Sequence, residues 1–215
     1  MSEPATADST TALSNSIGAF AELVAAGTPA PGGGSVSAYC GMLAASLGQM
    51  VCNLTIGKQK YAEAERRLTE IRSDLERLGA RLRELIAEDA ASFDAVLQSY
   101  RLPKDTDEQK GHRTKQVQIA LRGAVDVPVE TAQSGFDVLK LLRELADIGN
   151  ENALSDVAVG AQLAQTAIRG ASYNVGVNLD SISDREAADQ TRQQMTGMID
   201  QSKTIAEQVE AKLKM

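Results

Sequence analysis

Residues 28–61 read TPAPGGGSVSAYCGMLAASLGQMVCNLTIGKQKY, and the fold turns on this stretch. Two prolines and the run Gly32, Gly33, Gly34 open it. Consecutive glycines take backbone angles that other residues avoid and leave room for a ligand. Ser35 is placed to cap the helix that follows. A glycine loop entering a helix offers free N–H groups and the positive end of the helix dipole, which suits an anion. Pro-Gly clusters are also ordinary chain punctuation, and a capped helix start needs no ligand. No Lys-Ser/Thr pair follows the glycines at P-loop spacing, and no strand precedes them as in a dinucleotide fingerprint. From Ser35 to about Ile56 the pattern predicts a helix. Ser37, Gly41, Ala45, Gly48 and Cys52 recur on it at three- and four-residue steps. Such a seam of small residues lets another helix backbone come close.

The helical pattern extends outward in both directions. Ser14–Ala26 predicts a short helix stopped by Gly27, preceded by a disordered tail over residues 1–13. Residues 62–100 predict one long helix with an apolar stripe of Leu68, Ile71, Leu75, Leu78, Leu82, Leu85, Ile86, Phe93, Val96 and Tyr100. One step of that stripe belongs to Asp89. A carboxylate on a buried face is destabilising unless it is paired or used. Thr106 with Gln109 reads as a capping box opening a second long helix to about Ile148, which Pro128 kinks or splits. A helix from Ser155 or Asp156 to Leu179 is again rich in small residues and is the expected partner of the Ser35 helix. A last helix runs from Asp184 and packs on the bundle or on another subunit. No alternating strand pattern occurs. The expected fold is all-α, an up-and-down bundle of about six helices, two long and two rich in small residues, in one domain over residues 14–215.

Composition narrows the function. The net charge of −7 and an aromatic content of 3% speak against nucleic acid as a partner. Cys40 and Cys52 lie twelve residues apart on one helix, about 18 Å at helical rise, too far for a disulfide. Unpaired thiols suit a reducing compartment. Val36–Ile56 is uncharged and long enough to span a bilayer, yet it carries Gln49 and Asn53 and few large apolar residues. A helix buried within a bundle fits it better than a membrane span.

The lone histidine, His112, sits in the charged run KGHRTK. A zinc site or a histidine-based nucleophilic system therefore lacks its parts. Asp89 is the leading candidate for acid–base chemistry, against the alternative of a structural ion pair. Lys58 and Lys60 either complement a helix dipole or form a basic lip for a carboxylate. Asn53, Asn174 and Asn178 are amides on apolar helix faces, able to satisfy one another or to read a heterocycle edge. Asp156 sits where it favours a helix dipole.

Five blocks in order, the opening stretch, EDAASFDAVL around Asp89, RLPKDTDE, GNENALSD and ASYNVGVNL, resemble the formiminotransferase-cyclodeaminase C-terminal domain and the related methenyltetrahydrofolate cyclohydrolases. The resemblance implies a helical, homodimeric, cytoplasmic enzyme. It implies a folate substrate, which can carry a polyglutamate tail, and no metal or redox cofactor. It puts the catalytic aspartate at Asp89. Gly32, Gly33, Gly34, Ser35, Lys58, Lys60, Asn150, Asp156 and Asn174 match other motif positions. The formiminotransferase half has no counterpart here.

The resemblance implies chemistry at the one-carbon bridge of 5,10-methenyltetrahydrofolate, with Asp89 moving a proton. Cyclohydrolase is the first expectation, formimidoyltetrahydrofolate cyclodeaminase the second, and a non-catalytic folate-binding scaffold the third. The glycines and the lysines stand about 33 Å apart along one helix. They cannot both touch one small substrate within a single subunit. Either one end is structural, or a second subunit brings the other end close.

Overall fold

The computed structural model describes residues 7–213. Six helices follow one another: α1 (Ala7–Ala25), α2 (Gly33–Asn53), α3 (Glu65–Tyr100), α4 (Asp107–Ile148), α5 (Leu154–Leu179) and α6 (Arg185–Glu210). Short 3-10 helices, Gln59–Ala64 and Glu151–Ala153, lead into α3 and α5. The described residues contain no strand. The first helix starts at Ala7 rather than Ser14, so residues 7–13 of the expected tail are helical. Residues 1–6 lie outside the described residues.

The central element is α2, which packs against α3, α4 and α5, while α6 covers α4 and α5. The small-residue seam is what permits this. Ser37, Gly41, Ala45, Gly48 and Cys52 are all buried. A Cβ on Gly48 would lie 2.7 Å from Leu75 Cδ1 and 2.9 Å from Leu142 Cδ2, wedged between α3 and α4. A Cβ on Gly170 of α5 would lie 2.2 Å from Ser37 Oγ. By length and composition α2 is the one described helix able to cross a membrane. Half of its apolar window is buried, and the small-residue seam is turned into the bundle.

The α2–α3 contact is antiparallel and steps by seven. Gly48 meets Leu75 and Gly41 meets Leu82. One heptad further, Gly34 meets Asp89. The aspartate thus occupies a leucine position in a repeating glycine–leucine contact. Beyond it α3 has run past the start of α2, and the apolar stripe is buried only in part, with Val96 still packed against the core. Phe93 is 39% and Tyr100 46% exposed, which corrects the expectation of a buried stripe to the helix end.

Thr106 and Gln109 form the expected capping box at the start of α4. Pro128 does not split α4, which runs unbroken from Asp107 to Ile148. Ion pairs clamp α3 to α4: Arg81 to Glu130 at 2.7 Å and Arg67 to Glu144 at 2.6 Å. The Arg81 and Arg67 hydrogen bonds hold the Glu130 and Glu144 carboxyls below their ordinary value. A carboxyl depressed on folding stabilises the protein above its unfolded pKa and loses that contribution as pH falls through the folded value. Thermal stability is therefore expected to drop below about pH 4.5. The drop should be smaller in Glu130→Gln, as followed by melting temperature across pH 7 to 3. Both pairs are partly solvated, so the effect is modest.

Candidate active site

The pocket lies where the start of α2 meets α3 and α5. Pro29, Ala30, Gly32, Gly33 and Gly34 form one wall, and Asp89, Ser92, Phe93 and Val96 of α3 a second. Ala124 of α4 and Asn174, Val177 and Asn178 of α5 complete it. Its volume of about 270 Å³ is near the lower limit of ordinary small-molecule sites.

Helix α2 begins at Gly33, with Gly32 in extended geometry before it and no side-chain cap. Ser35 is therefore not the N-cap; it lies inside the first turn. Its hydroxyl lies 2.9 Å from Asp89 Oδ2 and 3.1 Å from the Ile86 carbonyl, both on α3. Ser35 is 0% exposed, so it reaches solvent-borne ligands only through Asp89. One hydroxyl proton serves two acceptors here. With Asp89 ionised, Ser35 donates to the carboxylate. With Asp89 protonated, the acid can donate to Ser35 Oγ while Ser35 donates to Ile86.

Asp89 is half-buried rather than buried, because it stands at the rim where α3 outruns α2. Among the described residues it is the only titratable side chain in the pocket lining. Gly34 makes its position available, since a Cβ there would fall 2.0 Å from Asp89 Oδ1. The carboxylate therefore lies against the first turn of α2, where unpaired N–H groups and the helix dipole favour negative charge. The helix start predicted to suit an anion thus has the Asp89 carboxylate beside it.

The two amides of α5 are held by backbone carbonyls. Asn174 donates to Gly170 O at 3.0 Å, within its own helix. Asn178 donates across to Ala124 O of α4 at 2.7 Å.

The remaining predicted residues gather at the far end of α2. Its 21 residues span about 30 Å. Asn53 is exposed and accepts from Arg72. Lys58 is exposed, and Lys60 pairs with Glu151 at 2.7 Å. Asn150 is buried and ties the α4–α5 turn to α2: its N–H donates to Thr55 Oγ1 and its amide to Leu54 O. Asp156 is half-buried in the first turn of α5. His112 is exposed, and no cluster of metal-ligating side chains occurs among the described residues.

The sequence did not point to Phe93, Val96 and Val177 as pocket residues. Phe93 and Val96 read as core because the stripe continues through them. The seven-residue recurrence of Gly34, Gly41 and Gly48 opposite Leu75, Leu82 and Asp89 is the signal that ties α2 to the site.

The class that emerges is an all-helical bundle enzyme with a lone carboxylate at a helix-start pocket. Residues 16–197 match the formiminotransferase-cyclodeaminase family model. The chain belongs to that family. It is 38% identical over 190 residues to a methenyltetrahydrofolate cyclohydrolase of Methylorubrum extorquens, covering 88% of this chain and 91% of that protein. It is 35% identical over 194 residues to a formimidoyltransferase-cyclodeaminase of Rattus norvegicus, covering 90% of this chain and 36% of that protein. The chain thus spans about a third of the length of that two-activity relative. The crystal structure of a formiminotetrahydrofolate cyclodeaminase from Thermotoga maritima superposes with a TM-score of 0.79 at 28% identity, covering 91% of this chain and 93% of that one.

Proposed function

We propose that this chain is a folate one-carbon enzyme that hydrolyses 5,10-methenyltetrahydrofolate to 10-formyltetrahydrofolate. The observation that carries this reading is the lone carboxylate in the pocket, with Ser35 hydrogen-bonded behind it. The 38% identity to a cyclohydrolase along nearly the whole of both chains supports the direction chosen.

The methenyl bridge is a cationic amidinium carbon. Asp89 as an anion stabilises that cation electrostatically. Water attacks the bridge carbon and Asp89 takes one of its protons, which leaves a neutral carbinol. The carbon–N5 bond then breaks. Asp89 returns its proton to N5, and the carbinol O–H proton leaves as the carbonyl forms. The net reaction consumes one water and releases one proton. Ser35 supports both charge states of Asp89 through the alternative arrangements of its hydroxyl. Asn174 and Asn178 flank the pterin, and the pocket volume suits that ring with the glutamate tail outside.

Removing the hydroxyl in Ser35→Ala should lower kcat by roughly tenfold or more, because a hydrogen bond to a charged group is lost. Wild-type kcat in a folded Ser35→Ala protein would reduce Ser35 to a packing residue.

The second reading is cyclodeaminase, in which N10 attacks the formimino carbon on N5 and ammonia leaves. The Thermotoga cyclodeaminase supports keeping it, because this chain spans 93% of that one. Chain length therefore does not separate the two activities. The assay that does is direct. Purified protein should bleach the methenyl chromophore and release no ammonia from formimino-folate. Ammonia release without bleaching would favour the deaminase. Thermal stabilisation by folate with neither activity would leave a binding scaffold.

A homodimer and a cytoplasmic location complete the reading. Ile17, Leu23 and Val24 of α1 are exposed, as expected of a face that meets a second copy. Lys58 and Lys60 lie far from Asp89 along α2, so we assign the glutamate tail to the lysines of the partner. Mixing Asp89→Asn with a Lys58→Ala, Lys60→Ala double variant should then recover activity that neither has alone. No recovery in demonstrated hybrid dimers would return the lysines to a structural role. Burial pushes the Cys52 thiol up to about 11, which keeps it protonated and unreactive in a reducing compartment.

A further inference from the structure

Pro128 lies inside α4 and is buried. A proline has no N–H, so the carbonyl four residues earlier loses its helical partner. That carbonyl belongs to Ala124, which is 6% exposed and sits in the pocket wall. A buried carbonyl left unpaired is destabilising. The structure supplies a partner from another helix: Asn178 Nδ2 donates to Ala124 O at 2.7 Å. A carbonyl oxygen only accepts, so the amide nitrogen and not its oxygen must face it. The proline thereby fixes which way the Asn178 amide is turned, in a pocket that Asn178 lines.

We propose that Pro128 is a positioning residue for this pocket, creating the free Ala124 carbonyl that holds the Asn178 amide in one orientation. The interaction spans α4 and α5 and turns a helix defect into a fixed polar contact. The consequence for ligand binding rests on the folate reading above; the coupling between Pro128 and Asn178 does not.

The proposal makes an unusual demand of Pro128→Ala. The substitution restores an N–H that can pair with Ala124 O within α4, removing the reason for Asn178 to stay. A residue that mattered only for helix integrity would bind folate as well or better once the defect was repaired. Here KM for methenyltetrahydrofolate should instead rise by roughly five- to tenfold, the equivalent of one hydrogen bond, with kcat changed much less.

The test is a cycle of wild type, Pro128→Ala, Asn178→Ala and the double variant, read by melting temperature and by steady-state kinetics. Asn178→Ala alone strands the Ala124 carbonyl and should lower the melting temperature. In the Pro128→Ala background the same change should lower it far less, because the helix now satisfies that carbonyl. KM in the double variant should match the worse single variant rather than multiply the two effects. An equal melting-temperature drop in both backgrounds would overturn the proposal, as would a wild-type KM in Pro128→Ala. If Asn178→Ala alone fails to fold, recovery of folding in the double variant supports the coupling and continued failure contradicts it. A wild-type protein without turnover would count against the function assigned above, and the melting cycle would still decide the coupling.

Discussion

Asp89→Asn is expected to bind methenyltetrahydrofolate and to turn it over about 10²–10⁴-fold more slowly than wild type, the usual contribution of a positioned acid–base group. Asparagine is nearly isosteric, and the contacts of Asp89 can survive it. Ser35 can turn its hydroxyl to the Ile86 carbonyl at 3.1 Å while accepting from the new amide. The variant should therefore fold and melt near the wild-type temperature. Two properties are lost together: the ability to take a proton from water and the negative charge beside the cationic carbon. No other titratable side chain among the described residues lines the pocket to take over either role. Wild-type turnover in a folded Asp89→Asn protein would remove the aspartate from the chemistry.

Gly34→Ala should lower activity by at least about a hundredfold, for a geometric reason alone. The added methyl would lie 2.0 Å from Asp89 Oδ1, 2.5 Å from Cγ and 2.7 Å from Oδ2. Carbon and carboxylate cannot share that space. Either the Asp89 side chain turns out of the pocket or α2 and α3 separate at their seam. A misplacement of about 1 Å is enough to cost on the order of a hundredfold in rate. Helix propensity acts in the opposite sense, since alanine is favoured over glycine in a helix by about 1 kcal/mol. Steric overlap therefore decides the outcome. The neighbouring glycine provides the control. A Cβ on Gly33 would meet only Asn174 Nδ2, at 3.8 Å, an ordinary contact. Gly33→Ala should retain most of the activity, measured alongside Gly34→Ala under one assay. Equal losses in both would point to loop flexibility rather than to room for the carboxylate.

The sequence makes the bundle legible because helical periodicity is a local property. The Leu68-to-Leu85 stripe, the Thr106–Gln109 capping box and the small-residue seam of α2 each announce an element, and each is present as expected. Asp89 stands out for the same reason, as a charge on an apolar stripe. What the pattern cannot convey is where one helix ends relative to its neighbour. Full burial of the stripe stops at Asp89 because α2 starts opposite it, a relation between residues 54 positions apart. Ser35 illustrates the same limit. Local rules make it a cap, but its hydroxyl is used across the bundle by Asp89. Asn178 reads locally as an amide able to meet a ligand, and the resemblance places Asn150 at a motif position. Both are tied to backbone groups distant in sequence, Asn150 to Thr55 and Leu54 and Asn178 to Ala124. In Asn178 the partner exists only because Pro128 lies four residues beyond Ala124, and a proline in a helix reads locally as nothing more than a kink.

In the proposed reaction the folate bridge is processed at Asp89, at the start of α2. The most direct measurement is a crystal structure of Asp89→Asn with bound methenyltetrahydrofolate. The bridge carbon should lie within reach of residue 89 through one water, with the pterin against the α5 amides. A bridge found instead among Lys58, Lys60 and Asn150 of the same subunit would contradict it.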